Sequence, residues 1–208
     1  MINRSFRVAE LAFAMTLLAF VPSQVWAQQV GQASAIKTSA YQQAPSQASA
    51  ELKLNDAIIW KSTLSTPDSS ALEVKFLDGS KLSMGAGSNV VIDEYAYSGP
   101  GSAGKQALRY TKGLFRFVSG NIPKDQVKIE TPTVTIGIRG TIFRTLVDGN
   151  GAGQVSVDFG PNGESYEVVI VSKKTGKTLV LHSGQKVSFD ADGVFEGVTD
   201  GTIEGCGP

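Results

Sequence analysis

The sequence predicts an all-β fold built of many short strands. Three observations carry this. Beyond residue 51, apolar residues recur at alternate positions in short runs and never sustain the 3.6-residue spacing of a helix. Glycine or Asp-Gly pairs punctuate the runs at intervals of about ten residues, as in sandwiches, barrels and solenoids. The chain holds 23 glycines and one cysteine, so turns are frequent and no internal disulfide can staple them. A packed core has to supply the stability.

From the N-terminus, Arg4 and Arg7 precede an apolar run over residues 11–21, and Pro22 ends it. Val25, Trp26 and Ala27 then form a small-residue cleavage pattern, so residues 1–27 read as an export signal. The run falls short of the roughly 20 apolar residues a membrane-spanning helix needs, and a retained anchor is the competing reading. Residues 28–50, rich in Gln, Ala and Ser, bury too little apolar surface to offset chain entropy and read as a flexible leader. Residues 51–190 form the β domain and residues 191–208 a C-terminal tail.

Within the domain, Leu72, Val74 and Phe76 alternate with Glu73 and Lys75, and Asp78-Gly79 follows as a hairpin turn before residues 81–84. Residues 108–118 form a strand with Gly113 inside it, which marks a bend. Residues 131–141 (Thr-Pro-Thr-Val-Thr-Ile-Gly-Ile-Arg-Gly-Thr) carry the densest signal. Val134, Ile136 and Ile138 project to one face and Thr133, Thr135 and Gly137 to the other. Gly137 and Gly140 bracket Arg139, so the chain is expected to turn a corner there while aiming one guanidinium at a fixed partner. Short strands follow at residues 141–147, 155–157, 166–171, 179–181 and 187–189.

This segment resembles the hallmark of the FecR-domain family, with Thr131, Pro132, Gly137, Arg139, Gly140 and Thr141 at the matching positions. The Asp-Gly hairpin in residues 72–85, the strand at residues 89–95, the glycine-led strand at residues 113–120 and the closing strand at residues 183–187 resemble the family's other landmarks, in order. The resemblance implies a stack of short antiparallel strands, twisted and solenoid-like or sandwich-like, in an exported periplasmic module, secreted or displayed at the cell surface in the wider reading. It also implies a protein partner in the envelope, in envelope or iron-uptake signalling. The six motif residues are expected to be structural. Few residues precede the apolar run and few follow Phe189, so the expectation is a module lacking both the cytoplasmic anti-sigma segment and the additional receptor-contacting portion of the well-known regulators. The alternative function is a surface or matrix protein that binds glycans.

Lys and Arg (19) balance Asp and Glu (19), so no basic excess points to nucleic acid, and no insertion in the membrane is expected after signal cleavage. Chemistry is sparsely represented. His182 is the lone histidine, Cys206 sits in a Gly-Cys-Gly-Pro tail, and no nucleophile elbow or zinc-ligand cluster is present. Asp190, Asp192 and Gly193 resemble the start of a calcium loop but read as turn residues. No enzymatic activity, cofactor or metal is expected. Trp60, Tyr95, Tyr97, Phe115 and Phe117 are candidates for a glycan or peptide groove, though aromatic residues at strand spacing are more often core.

Overall fold

A computed structural model of the chain describes residues 28–140 and 142–205; the expected export signal at residues 1–27, Thr141 and Cys206 lie outside the described residues. The fold is all-β, with one 3-10 turn at Lys124–Gln126. Strand pairing organises it as two ladders. The first runs, in spatial order, through β4 (Ala57–Ile59), β1 (Gln29–Lys37), β6 (Ala71–Phe76), β7 (Lys81–Met84), the second half of β9 (Lys105–Val118), β12 (Ile142–Val147), β13 (Gly153–Val157), β16 (Gln185–Phe189) and β17 (Phe195–Asp200). The second runs through β3 (Ala50–Glu51), β2 (Tyr41–Gln43), β5 (Thr63–Ser65), β8 (Asn89–Ala96), the first half of β9, β10 (Val127–Glu130), β11 (Val134–Arg139), β14 (Glu167–Ser172) and β15 (Thr178–His182).

The two sheets pack face to face. Phe76 of the first stacks on Tyr95 of the second with ring centroids 5.7 Å apart, and one continuous core cluster joins both. Each fully buried Val, Leu or Phe contributes about 1.5–3 kcal/mol from burial, so this layer is the main source of stability. β9 belongs to both sheets. It pairs with β8 and β10 up to Lys112 and with β7 and β12 from Gly113 onwards. Gly113 has φ +114, and Tyr110 and Phe115 stack 4.0 Å apart across the bend it makes. The bend expected at Gly113 is therefore the crossing point between layers. One pair departs from the antiparallel pattern: β10 lies parallel to β9, because residues 119–126 carry the chain back beside Gln106 before it resumes.

The Asp78-Gly79 turn closes on a buried carboxylate. Asp78 Oδ1 accepts from the Ser80 hydroxyl at 2.7 Å and the Tyr95 hydroxyl at 3.3 Å, while Tyr95 accepts from the Asp78 N–H at 2.9 Å. Asp78 Oδ2 accepts from the Ile122 N–H at 3.4 Å. Burial, followed by the Asp78 charge, pushes the Tyr95 phenol well above its ordinary range. This network ties the hairpin of one sheet to β8 of the other.

The expected flexible leader at residues 28–50 is corrected: it contains β1 and β2. Val30, Ala33 and Ala40 are fully buried, and β1 lies between β4 and β6. Small apolar residues at a few inward positions are enough where a neighbouring strand already supplies the ladder. The segment's polar side chains then serve as bridges: Ser34 Oγ donates to Glu73 and Gln42 Oε1 accepts from the Ile59 N–H. The C-terminal tail also contributes, since β17 pairs with β16. Beyond it, Ile203 donates its N–H to Ser156 Oγ at 3.0 Å and accepts from Arg144 Nη1 at 2.8 Å.

Candidate recognition face around residues 131–141

The motif begins in a tight turn between β10 and β11. Thr131 is fully buried, its Oγ1 accepting from the Val134 N–H at 3.0 Å and the Thr133 N–H at 3.3 Å. Its backbone N–H donates to the Val134 carbonyl at 2.9 Å, which closes the turn with Pro132 at the position that suits its fixed φ. Neighbouring loops hold this turn from outside. Thr133 Oγ1 donates to the Gly151 carbonyl at 2.7 Å, and Lys173 Nζ donates to the Thr131 carbonyl at 2.6 Å. Thr131 and Pro132 thus have a structural position.

β11 alternates as its sequence requires: Val134, Ile136 and Ile138 are buried, while Arg139 is exposed. Gly137 is an ordinary strand residue rather than a corner; it has no positive φ, and a Cβ there would lie 3.8 Å from the Val169 carbonyl. The corner is at Gly140, with φ +66 and open space around it, where the chain passes from the second sheet towards β12 of the first. An L side chain is strained at that φ. Thr141, the last motif residue, lies outside the described residues.

Arg139 is not the buried anchor that a corner-capping role would make it. Its side chain is 73% exposed and its partner is Glu167, at 3.3 Å from Nη1. Register places Arg139 opposite Glu167 and Glu167 opposite His182, and His182 Nδ1 lies 3.9 Å from the other Glu167 oxygen. The adjacent row is Gly137, Val169 and Val180. The outer surface of the second sheet therefore carries a charged row beside an apolar one, with a hollow where Gly137 has no side chain. A groove of about 590 Å³ occupies the hollow, lined by Lys124, Asp125, Val127, Gly137, Arg139 and Val169 among others. Burial holds the Lys124 ammonium below its usual range, offset in part by Asp78. Along the same surface the Lys128 hydrogen bond holds Glu130 below the usual carboxylate range, with Lys173 adding to the effect.

His182 is 62% exposed at a strand end. No group of three or more His, Cys, Asp or Glu side chains among the described residues is placed to hold a metal ion. Asp190 Oδ1 is used locally, accepting from the N–H groups of Asp192 and Val194 at 2.9 Å, which makes a turn. The aromatic candidates have the core role. Tyr95, Phe115 and Phe117 are buried, and Trp60 and Tyr97 pack against the core. Sequence reasoning missed Val169 and Lys124, whose places depend on register and on the path of residues 119–126.

The two-sheet β-module with its motif face defines the class, and comparison supplies the family. Residues 62–161 match the family described as FecR protein, and the chain carries a FecR domain. No curated protein matches the chain. Two crystal structures of a candidate anti-sigma factor from Parabacteroides distasonis are similar in fold, at 14% identity with TM-scores of 0.50 and 0.51. Each match covers 67% of this chain and 60% of that one. Among the described residues no helix is long and apolar enough to cross a membrane.

Proposed function

We propose that this is a non-enzymatic, exported FecR-domain protein that recognises another protein of the cell envelope, in envelope or iron-uptake signalling. Export to the periplasm is supported by Arg4, Arg7 and the apolar run before Ala27. The observation that carries recognition is the exposed Arg139–Glu167 pair beside the groove floored by Gly137 and Val169. An ion pair this exposed contributes about 0–1 kcal/mol to folding, so stability alone does not account for a guanidinium held there. Thr131, Pro132 and Gly140 shape the support beneath it.

A photo-crosslinking residue at Thr135, on the same outer face, tests the reading in intact cells. The expected result is a discrete adduct with an envelope protein that disappears in the Arg139→Glu variant. Labelling that yields no specific adduct, or one indifferent to Arg139→Glu, overturns it. The glycan-binding alternative keeps Phe159 as an exposed ring (55%), while its other candidate aromatics are in or against the core.

A further inference from the structure

Among the described residues the stack ends in four edge strands, and three of them are poor templates for another chain. β3 has two residues and β4 three. β17 has a register break opposite Val187 to Phe189 and carries Glu196 and Asp200. Short, bulged or charged edges resist pairing. β15 is different. Its register with β14 runs unbroken from His182 to Thr178, no charged residue lies within Thr178–Leu181, and Val180 is 41% exposed.

The direction of its backbone groups follows from its ends. Ser172 donates its N–H to the Lys177 carbonyl at 2.9 Å and Ser183 donates to the Tyr166 carbonyl at 3.1 Å. Residues 177, 179, 181 and 183 therefore face β14, and by alternation Thr178, Val180 and His182 face away. The His182 N–H is taken by Gln185 Oε1 at 2.9 Å. Thr178 and Val180 are left with N–H and carbonyl on the open edge, beneath side chains on the outer face. The ends of this edge are basic. Lys177 is exposed and makes no ion pair among the described residues, and His182 closes the other end.

We propose that β15 is a docking edge that takes an extended, acidic segment of a partner protein as an added antiparallel strand. The Val180 backbone exchanges two hydrogen bonds with the incoming strand, and an apolar partner residue lies beside Val180 and extends the Val169–Val180 row. Acidic residues two positions to either side come opposite Thr178, next to Lys177, and opposite His182. Charge sets the choice of edge, because Glu196 and Asp200 repel the same segment from β17. This deepens the protein-recognition reading by naming an edge and the chemistry of its partner.

The test is amide hydrogen exchange on the full mature chain with two capped pentapeptides, Glu-Thr-Val-Thr-Glu and Lys-Thr-Val-Thr-Lys. The expected result is at least about tenfold slower exchange at Thr178 and Val180 with the Glu peptide, as for amides gaining a strand partner, and little change with the Lys peptide. Val180→Pro removes an N–H that β14 does not use and abolishes the effect. Lys177→Glu, on an exposed turn residue, weakens peptide binding by about fivefold, the equivalent of one surface charge pair. Equal protection by both peptides, protection at β17 in place of β15, or none at Thr178 and Val180 overturns the proposal. So does concentration-dependent protection without peptide, which would make a second copy of this chain the occupant. A cellular adduct at Thr135 that persists in Val180→Pro would refute the edge and leave the recognition reading intact.

Discussion

Replacing Gly113 by Ala tests the claim that one residue joins the two sheets. Gly113 has φ +114, a region that side chains rarely enter, and an added methyl group would fall within the van der Waals shells of Ser88 Cα, Cβ and Oγ. Ser88 cannot easily retreat, since its Oγ accepts from the Leu114 N–H at 3.1 Å and donates to the Leu114 carbonyl at 3.3 Å. Backbone strain costs about 1–3 kcal/mol and overpacking about the same again, which gives roughly 2–6 kcal/mol in total. In a domain of this size each kcal/mol is worth about 2–4 °C, so the melting temperature falls by roughly 5–20 °C. Gly140→Ala is the control. It also has positive φ, +66, but meets nothing within 4 Å, and it costs only about 1–2 kcal/mol. Thermal and urea unfolding followed by circular dichroism measure both variants. If Gly113→Ala melts no lower than Gly140→Ala, the crossing is not locked by steric contact with Ser88 and the argument fails.

Arg139→Ala lowers stability by less than about 1 kcal/mol, because the ion pair is exposed, and urea midpoints check this. Gly137→Val leaves the melting temperature close to that of the parent, since a Cβ is accommodated and a β-branched residue suits a strand, but it fills the groove and removes the cellular adduct. The Tyr95 phenol has a raised pKa, so the folded state favours its neutral form. That stability is fully present below the ordinary value of 10.0 and is lost as the pH rises above it, where the unfolded chain ionises first. Tyr95→Phe removes this alkaline loss in pH-dependent urea titrations. At neutral pH it costs about 1–3 kcal/mol, because the buried Asp78 N–H loses its acceptor.

Much of the fold was legible because strand alternation and turn chemistry are local. Val134, Ile136 and Ile138 face inward, Asp78-Gly79 makes its turn, and Gly113 bends β9. Residues 28–50 were not legible, because their burial depends on partners far along the chain, such as Val74 opposite Ala33. The motif's two glycines looked equivalent in sequence. Only the backbone distinguishes Gly137, which leaves a hollow, from Gly140, which turns the chain. Arg139 was recognisable as a singular residue, but its exposure was not, since Glu167 reaches it through the pairing of β11 with β14. The aromatics at strand spacing read more readily as core than as a groove, and Tyr95, Phe115 and Phe117 are buried.

The placing of β1 between β4 and β6 bears on how fragments of this protein behave. Cutting at the boundaries of the family match, residues 62–161, discards the strands that cover β5 and β6 at one end and those that cover β11 and β13 at the other. Such a piece presents raw hydrogen-bonding margins and uncapped apolar interior on both flanks, and it is expected to clump on expression. Starting the recombinant product at Gln28 and keeping Ile203 preserves both ends of the stack.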